Sequence, residues 1–235
     1  MIDFLEGQLL LINKPLRWTS FDVVKKIRNT LLTHLQIKKI KVGHAGTLDP
    51  LADGLLIVCT GKFTKRINEY QSQEKEYTGE FVVGATTPSY DLETEVDKQY
   101  PTDHISEKEI LEAAKSLTGE ILQRPPLYSA IKQDGKRLYE HARKGEEVSI
   151  KERLVQVKEF EITKIELPSV HFRIVCSKGT YIRSLAQSFG QNLNSGAYLA
   201  QLTRTRIGNY NLSQAVDIQE FIDSFSSSNN QTALL

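Results

Sequence analysis

The residues best suited to chemistry lie in the stretch GHAGTLDPLADG, residues 43–54. It holds two carboxylates, Asp49 and Asp53, one imidazole, His44, and glycines that free the backbone around them. Asp49 precedes Pro50, which drives it out of the helical region into an extended conformation. Behind the loop, Leu55–Cys59 is a continuous apolar run bounded by Gly54 and Gly61, the pattern of a strand buried on both faces. A carboxylate placed there is anchored on one side and open on the other, as a nucleophile or general base must be. Plainer readings compete: an Asx turn at Asp49, and turn closure by Asp53 before Gly54. If both acids worked as a pair, the chemistry would be hydrolytic. Residue types alone do not choose between the two acids.

Arg183 gives an independent clue. With Thr180 as cap it falls on the third residue of a helix, where the dipole disfavours a cation by about 0.3–1 kcal/mol at an exposed site. The side chain can swing out to solvent, or a carboxylate partner can remove the conflict; pairing with Asp49 would keep that acid ionised and aimed. His44 has no second histidine three or four residues away, and His34, His104, His141 and His171 are scattered, so a metal site is not expected. Tyr77 suits either core packing or stacking on a base. Residues 124–144, RPPLYSAIKQDGKRLYEHARK, interleave Tyr128, Tyr139 and His141 with Arg124, Lys132, Lys136, Arg137, Arg143 and Lys144, against only Asp134 and Glu140. That mixture suits phosphate contact with stacking, although a solvated charged loop has the same composition. In LTRTRIG, Arg204 and Arg206 alternate as a second basic edge.

The elements that must position these groups are legible in part. Gln8–Ile12 reads as a short strand, followed by a helix capped by Thr19 or Ser20 with Val23, Ile27, Leu31 and Leu35 on one face and Lys25, Lys26 and Arg28 on the other. Tyr77–Val83 alternates as a strand, and the acidic passage 86–101 reads as an exposed loop. Ser106 and Glu109 form a capping box, stapled by Ile105 and Ile110 and stopped by Gly119. Two strands, LVQVKEFEITKIE and VHFRIVCS, precede a helix over about Tyr181 to Leu193, and DSFSSSNNQTALL should fray. This order predicts an α/β (α+β) fold: a mixed, mostly antiparallel sheet with flanking helices. Lys+Arg 30 against Asp+Glu 29 gives a net charge of only +1, so polyanion binding requires bases concentrated locally. Cys59 and Cys176 sit in apolar runs, and no segment is apolar enough to span a bilayer, so a cytoplasmic protein is expected.

Together the motifs resemble the TruB type of bacterial tRNA pseudouridine-55 synthase. GHAGTLDPLADGLL matches that family's GHxGTLDPxAxGxL, NKPLRWTSFD its NKPxGxTSxD, CSKGTYIRSLA its arginine motif and LTRTRIG its LRRTxxG. QRPPLYSAIKQDGKRLYEHARKGE looks like its inserted RNA-gripping segment. The matches run from Asn13 to Gly208 in the family's order. The resemblance implies the pseudouridine synthase fold over residues 1–212, with the insertion at about 124–152, and a short tail over 213–235 in place of a full PUA domain. It implies Asp49 as nucleophile, Tyr77 stacked on the target base, and Arg183 paired with the aspartate. Tyr181 and Leu202 would line the base pocket, His44 would support displaced RNA, and Lys132, Lys136, Arg137, Arg143 and Arg204 would contact RNA. The implied substrate is the T arm of tRNA, with no cofactor, metal, guide RNA or membrane, and a monomer is expected. A tRNA-folding chaperone using the same surface is the alternative. Arg17 stands where the family pattern usually has glycine, which puts the backbone after Pro15 in question.

Overall fold

A computed structural model describes residues 3–129, 132–133, 136–138 and 148–230. In chain order the strands are β1 (Leu9–Lys14), β2 (Val42–His44), β3 (Ala52–Thr60), β4 (Lys75–Val83), β5 (Ala85–Thr86), β6 (Lys98–Gln99), β7 (Gly119–Gln123), β8 (Lys132–Gln133), β9 (Lys136–Arg137), β10 (Arg153–Glu166), β11 (Ser169–Cys176), β12 (Ala197–Ile207), β13 (Tyr210–Asn211) and β14 (Val216–Asp217). The helices are α1 (Ser20–His34), α2 (Ile67–Ser72), α3 (Glu107–Ser116), α4 (Ile182–Asn192) and α5 (Ile218–Asn230). The chain forms two compact units, Met1–Glu76 with Thr203–Leu235, and Tyr77–Leu202; β4 and β12 run from one into the other.

In the first unit the strand order is β14-β1-β3-β12, with β2 on β3 and β13 on β12. The β1–β3, β2–β3 and β12–β13 pairs are antiparallel and β1–β14 is parallel. As its uninterrupted apolar run predicts, β3 is buried on both faces: Leu56 and Val58 meet Val23, Val24, Ile27 and Leu31 of α1, while Leu55, Ile57 and Cys59 pack with Tyr70 and Ile207. Thr19 caps α1 in a capping box with Asp22. The segment expected to fray is helical as far as Asn230. This helix, α5, begins before that segment, and its apolar residues Ile218, Phe221, Ile222 and Phe225 recur at helical spacing and pack on the α1 cluster, a stripe that the serine run conceals.

The second unit orders its strands β12-β4-β11-β10-β7, with β10 antiparallel to both β11 and β7. Its core is aromatic. Phe81 of β4 lies 4.3 Å from Phe172 of β11 and 5.5 Å from Phe189 of α4, and Phe160 of β10 completes the group. Burying such rings anchors α4 to the sheet at about 1.5–3 kcal/mol each. The box at Ser106–Glu109 forms as expected, over buried Ile110. The passage 86–101 is mostly exposed from Leu92 onward, as read, but its first part turns inward, with Thr87, Ser89 and Asp91 all buried.

Two positions in the first unit link the sequence directly to stability. Gly54 lies in β3 at φ +98, and a Cβ there would sit 2.5 Å from the backbone oxygen of Arg204 and 2.8 Å from its nitrogen. The alternation of β1 places Lys14 on the inward face with Ile12, and Lys14 is wholly buried. Its Nζ donates to the carbonyls of Pro15 at 2.9 Å and Trp18 at 2.6 Å, shaping the turn into α1. Burial pushes its pKa down to about 8, opposed by the carboxylates of Asp53 and Asp49 and assisted by Arg204.

Gly54→Ala is therefore expected to destabilise by about 3 kcal/mol or more, read from the urea midpoint, because positive φ and a backbone clash act together; an unchanged midpoint contradicts the close approach. For Lys14 the sign is fixed by linkage. Below about pH 8 folded and unfolded chains both carry the proton and the cost of burying the charge is fully present; between about 8 and 10.5 the folded state releases it first and the cost declines. The stability of the wild type relative to Lys14→Met should rise across that window by up to about 3 kcal/mol, and a difference independent of pH contradicts it.

Candidate active site

The loop that carries Asp49 is fastened along its length by groups of its own unit. Ser20, the first residue of α1, accepts the Leu48 N–H at 2.8 Å and donates its hydroxyl to the Leu48 carbonyl at 3.1 Å. The N–H of Arg17 reaches the Pro50 carbonyl at 2.7 Å, and Ala52 N–H reaches the Asp49 carbonyl at 3.1 Å. The latter closes a turn with Pro50 at its second position, where the fixed proline φ fits. Arg204, 1% exposed, donates from Nε to Leu55 O at 2.8 Å and from Nη2 to Gly46 O at 3.1 Å. Asp49 itself is half-buried and lies within electrostatic reach of the Lys14 ammonium. A carboxylate on such a loop loses little conformational freedom when it engages a substrate, which favours a nucleophile.

Two expectations for this unit need correction. Arg204 was assigned to RNA contact, but its guanidinium is buried and bonded to backbone carbonyls, so it braces the loop. With Arg206 engaged by Glu74 at 2.9 Å and lying 3.8 Å from Glu76, LTRTRIG is no open basic edge. Asp53 does not close a turn. It lies within β3 and accepts the Thr203 hydroxyl at 2.6 Å, while the turn spans residues 49–52. His44, at the end of β2, is half-buried; burial and the Arg204 charge push its pKa below the ordinary histidine value. Its Nδ1 has no hydrogen-bond partner among the described residues.

The second unit carries Tyr77, Tyr181, Arg183 and Leu202. Tyr77 and Leu202 are each 9% exposed, on β4 and β12. The cap of α4 is Tyr181 and not Thr180, whose hydroxyl instead donates to the Ser177 carbonyl at 3.0 Å. Gln123 holds that cap by accepting the Tyr181 N–H at 2.8 Å and donating to its carbonyl at 3.1 Å. The Tyr181 ring lies under the Arg153 guanidinium at 4.8 Å. Arg183 is thus the second residue of α4 and does not swing to solvent: it is 3% exposed. Its guanidinium donates to Tyr128 O at 2.9 Å and Ser89 O at 3.3 Å, and its Nε lies 3.6 Å from the buried Asp91 carboxylate. Within this unit the buried Asp91 carboxylate is one partner that offsets the charge conflict at the helix start.

Neither Asp91 nor Gln123 stands out in the sequence, Ser20 does so only as a cap candidate, and nothing in the motifs marks Lys14. Strand alternation in LLLINK could have exposed Lys14 as inward-facing; Asp91 stands in a polar passage with no period to betray it. Lys132, Lys136 and Arg137 fall on the antiparallel β8–β9 pair, with Lys132 opposite Arg137. Arg143, Tyr139 and His141 lie outside the described residues.

Comparison with known proteins agrees with the motifs. The family model described as TruB family pseudouridylate synthase (N terminal domain) matches residues 33–182, more than half the chain. A protein of Flavobacterium johnsoniae named tRNA pseudouridine synthase B is 59% identical over 94% of this chain and 97% of its own length. One of the same name from Parabacteroides distasonis is 53% identical, with 94% of each covered. Among solved structures, a chain of a Cbf5-Nop10-Gar1 complex superposes with a TM-score of 0.70 at 29% identity over 94% of this chain, which spans about half of that longer chain, 54%. No helix among the described residues is long and apolar enough to cross a membrane. By the family model and by these relatives, the chain belongs to the TruB family of pseudouridylate synthases.

Proposed function

We propose that this protein isomerises a uridine of tRNA to pseudouridine, that the target is the T-loop uridine at position 55, and that Asp49 is the attacking carboxylate. The observation that supports it most directly is the bracing of the Asp49 loop by Ser20, Arg17 and Arg204, with the Lys14 ammonium close by. The names of the relatives supply the reaction.

In the reaction the N1–C1' bond of the nucleotide breaks, the uracil turns, and a C5–C1' bond forms while C5 loses a proton and N1 gains one. Asp49 attacks either C6 of the base or C1' of the ribose and leaves again, so substrate and product contain the same atoms at the same oxidation level. No redox cofactor is called for. The uridine must leave its stack to meet the carboxylate, at a cost of roughly a few kcal/mol. Stacking on Tyr77 returns about 1–3 kcal/mol of it, and its phenol takes the C5 proton. Arg183 pairs with Asp49 and keeps it ionised, Tyr181 and Leu202 line the base pocket, and His44 supports the displaced RNA. Lys132, Lys136, Arg137 and Arg143 grip the arm in place of a guide RNA, and the enzyme works as a cytoplasmic monomer.

Asp49→Asn should lower pseudouridine formation in a T-arm transcript by roughly 10³-fold or more while the RNA dissociation constant stays within about threefold, since only the attacking oxygen's charge is lost. Asp53→Asn, which retains an oxygen for Thr203, should keep most of the turnover. Equal losses in both would favour an acid pair, and undiminished turnover by Asp49→Asn would leave a folding-chaperone role standing.

A further inference from the structure

Arg17 holds a conformation that side chains disfavour. Its φ is +67, in the left-handed region that glycine enters freely, and its N–H is tied to the Pro50 carbonyl one residue past Asp49. The backbone after Pro15 thus keeps a glycine-like shape although the residue is arginine, and the side chain is exposed. With Trp18, Asp22, Lys25 and Lys26 it lines an open groove of about 380 Å³. The half-buried Trp18 supplies an apolar wall, and Lys25 and Lys26 are exposed on the outward face of α1.

Among the described residues no hydrogen bond or ion pair engages the side chains of Arg17, Lys25 or Lys26. The one carboxylate in the groove, Asp22, is occupied by the capping box, where its Oδ2 accepts from Thr19 N at 3.0 Å and Thr19 Oγ1 at 2.5 Å. Three cations against one engaged carboxylate, in a chain whose total charge is +1, form a local concentration of positive charge suited to a polyanion. From Asp22 to Asn29, which also lines it, the groove follows α1 for about 10 Å at the helical rise of about 1.5 Å per residue, room for roughly two consecutive nucleotides.

We propose that this groove, lined by Arg17, Lys25 and Lys26 against Trp18, binds the phosphate backbone of the substrate RNA next to the target uridine. The proposal rests on the reading of the chain as a tRNA uridine isomerase, since the Arg17–Pro50 hydrogen bond ties the groove to the loop of the attacking carboxylate. Phosphate contacts of this kind fix register and carry no sequence information, so the groove would hold the flanking strand in place while the base is out of its stack. Arg17 is then retained at a strained position for its guanidinium, and α1 doubles as a structural helix on its buried face and an RNA contact on its exposed one.

The test is binding of a fluorescently labelled T-arm stem-loop by anisotropy as a function of salt, with steady-state kinetics on the same RNA. Arg17→Gln keeps the strained backbone and removes the charge; Arg17→Gly removes both. Each is expected to weaken binding about three- to tenfold and to lower the slope of log K against log salt by about 0.7–0.9. Arg17→Gly should melt no lower than the wild type. The triple variant Arg17→Gln, Lys25→Gln, Lys26→Gln should lose about 2–3 from the slope and raise KM by a larger factor than it lowers kcat. Wild-type affinity and slope in the triple variant, or weakening by Arg17→Gly alone, overturns the groove. A wild-type enzyme that forms no pseudouridine in this RNA overturns the functional reading instead, so the two failures are distinguishable.

Discussion

The guanidinium of Arg204 is the interaction on which the Asp49 loop depends. Buried within its unit, it spans the base of the loop, donating to Leu55 where β3 begins its apolar run and to Gly46 near the loop's start. A buried arginine is costly unless its donors are satisfied, and these backbone carbonyls satisfy them. The close approach at Gly54, which leaves no room for a side chain beside Arg204, belongs to the same device. Ser20 and Arg17 then fix the other flank from the start of α1. Local rules could not assemble this loop, whose braces come from opposite ends of the chain.

The second unit repeats the strategy with different residues. Arg183 sits where a helix dipole opposes it, and it is accommodated by carbonyls of Tyr128 and Ser89 and by the Asp91 carboxylate. The aromatic group of Phe81, Phe160, Phe172 and Phe189 holds α4 against the strands, and Gln123 fixes the residue that caps it. In both units a charged group with a chemical assignment is surrounded by buried polar contacts that restrict its motion, the arrangement that preorganised sites require.

Much of this was legible in the residues themselves. Thr19 and Ser106 announced their helices because capping is local, and the two-faced burial of β3 followed from five consecutive apolar side chains. The failures share a cause. Arg204 looked like an exposed base because strand alternation does not say which face is covered, and the answer depends on Leu55 and Gly46 about 150 residues away. Asp91 is unreadable because it stands in a polar passage and its partner Arg183 lies far along the chain, and Asp53 resembles a turn residue although it accepts the Thr203 hydroxyl from within β3. Phe221 and Phe225 were masked by the serines between and after them, although their spacing was helical. Buried polar groups answer to distant partners, and a single sequence shows only neighbours.

The account stands or falls on where pseudouridine is made. Mapping pseudouridine at nucleotide resolution in total tRNA from cells with and without this protein tests it most directly. The account predicts loss confined to the T-loop uridine, with pseudouridine elsewhere in tRNA untouched; a T-loop signal that survives removal of the protein would contradict it.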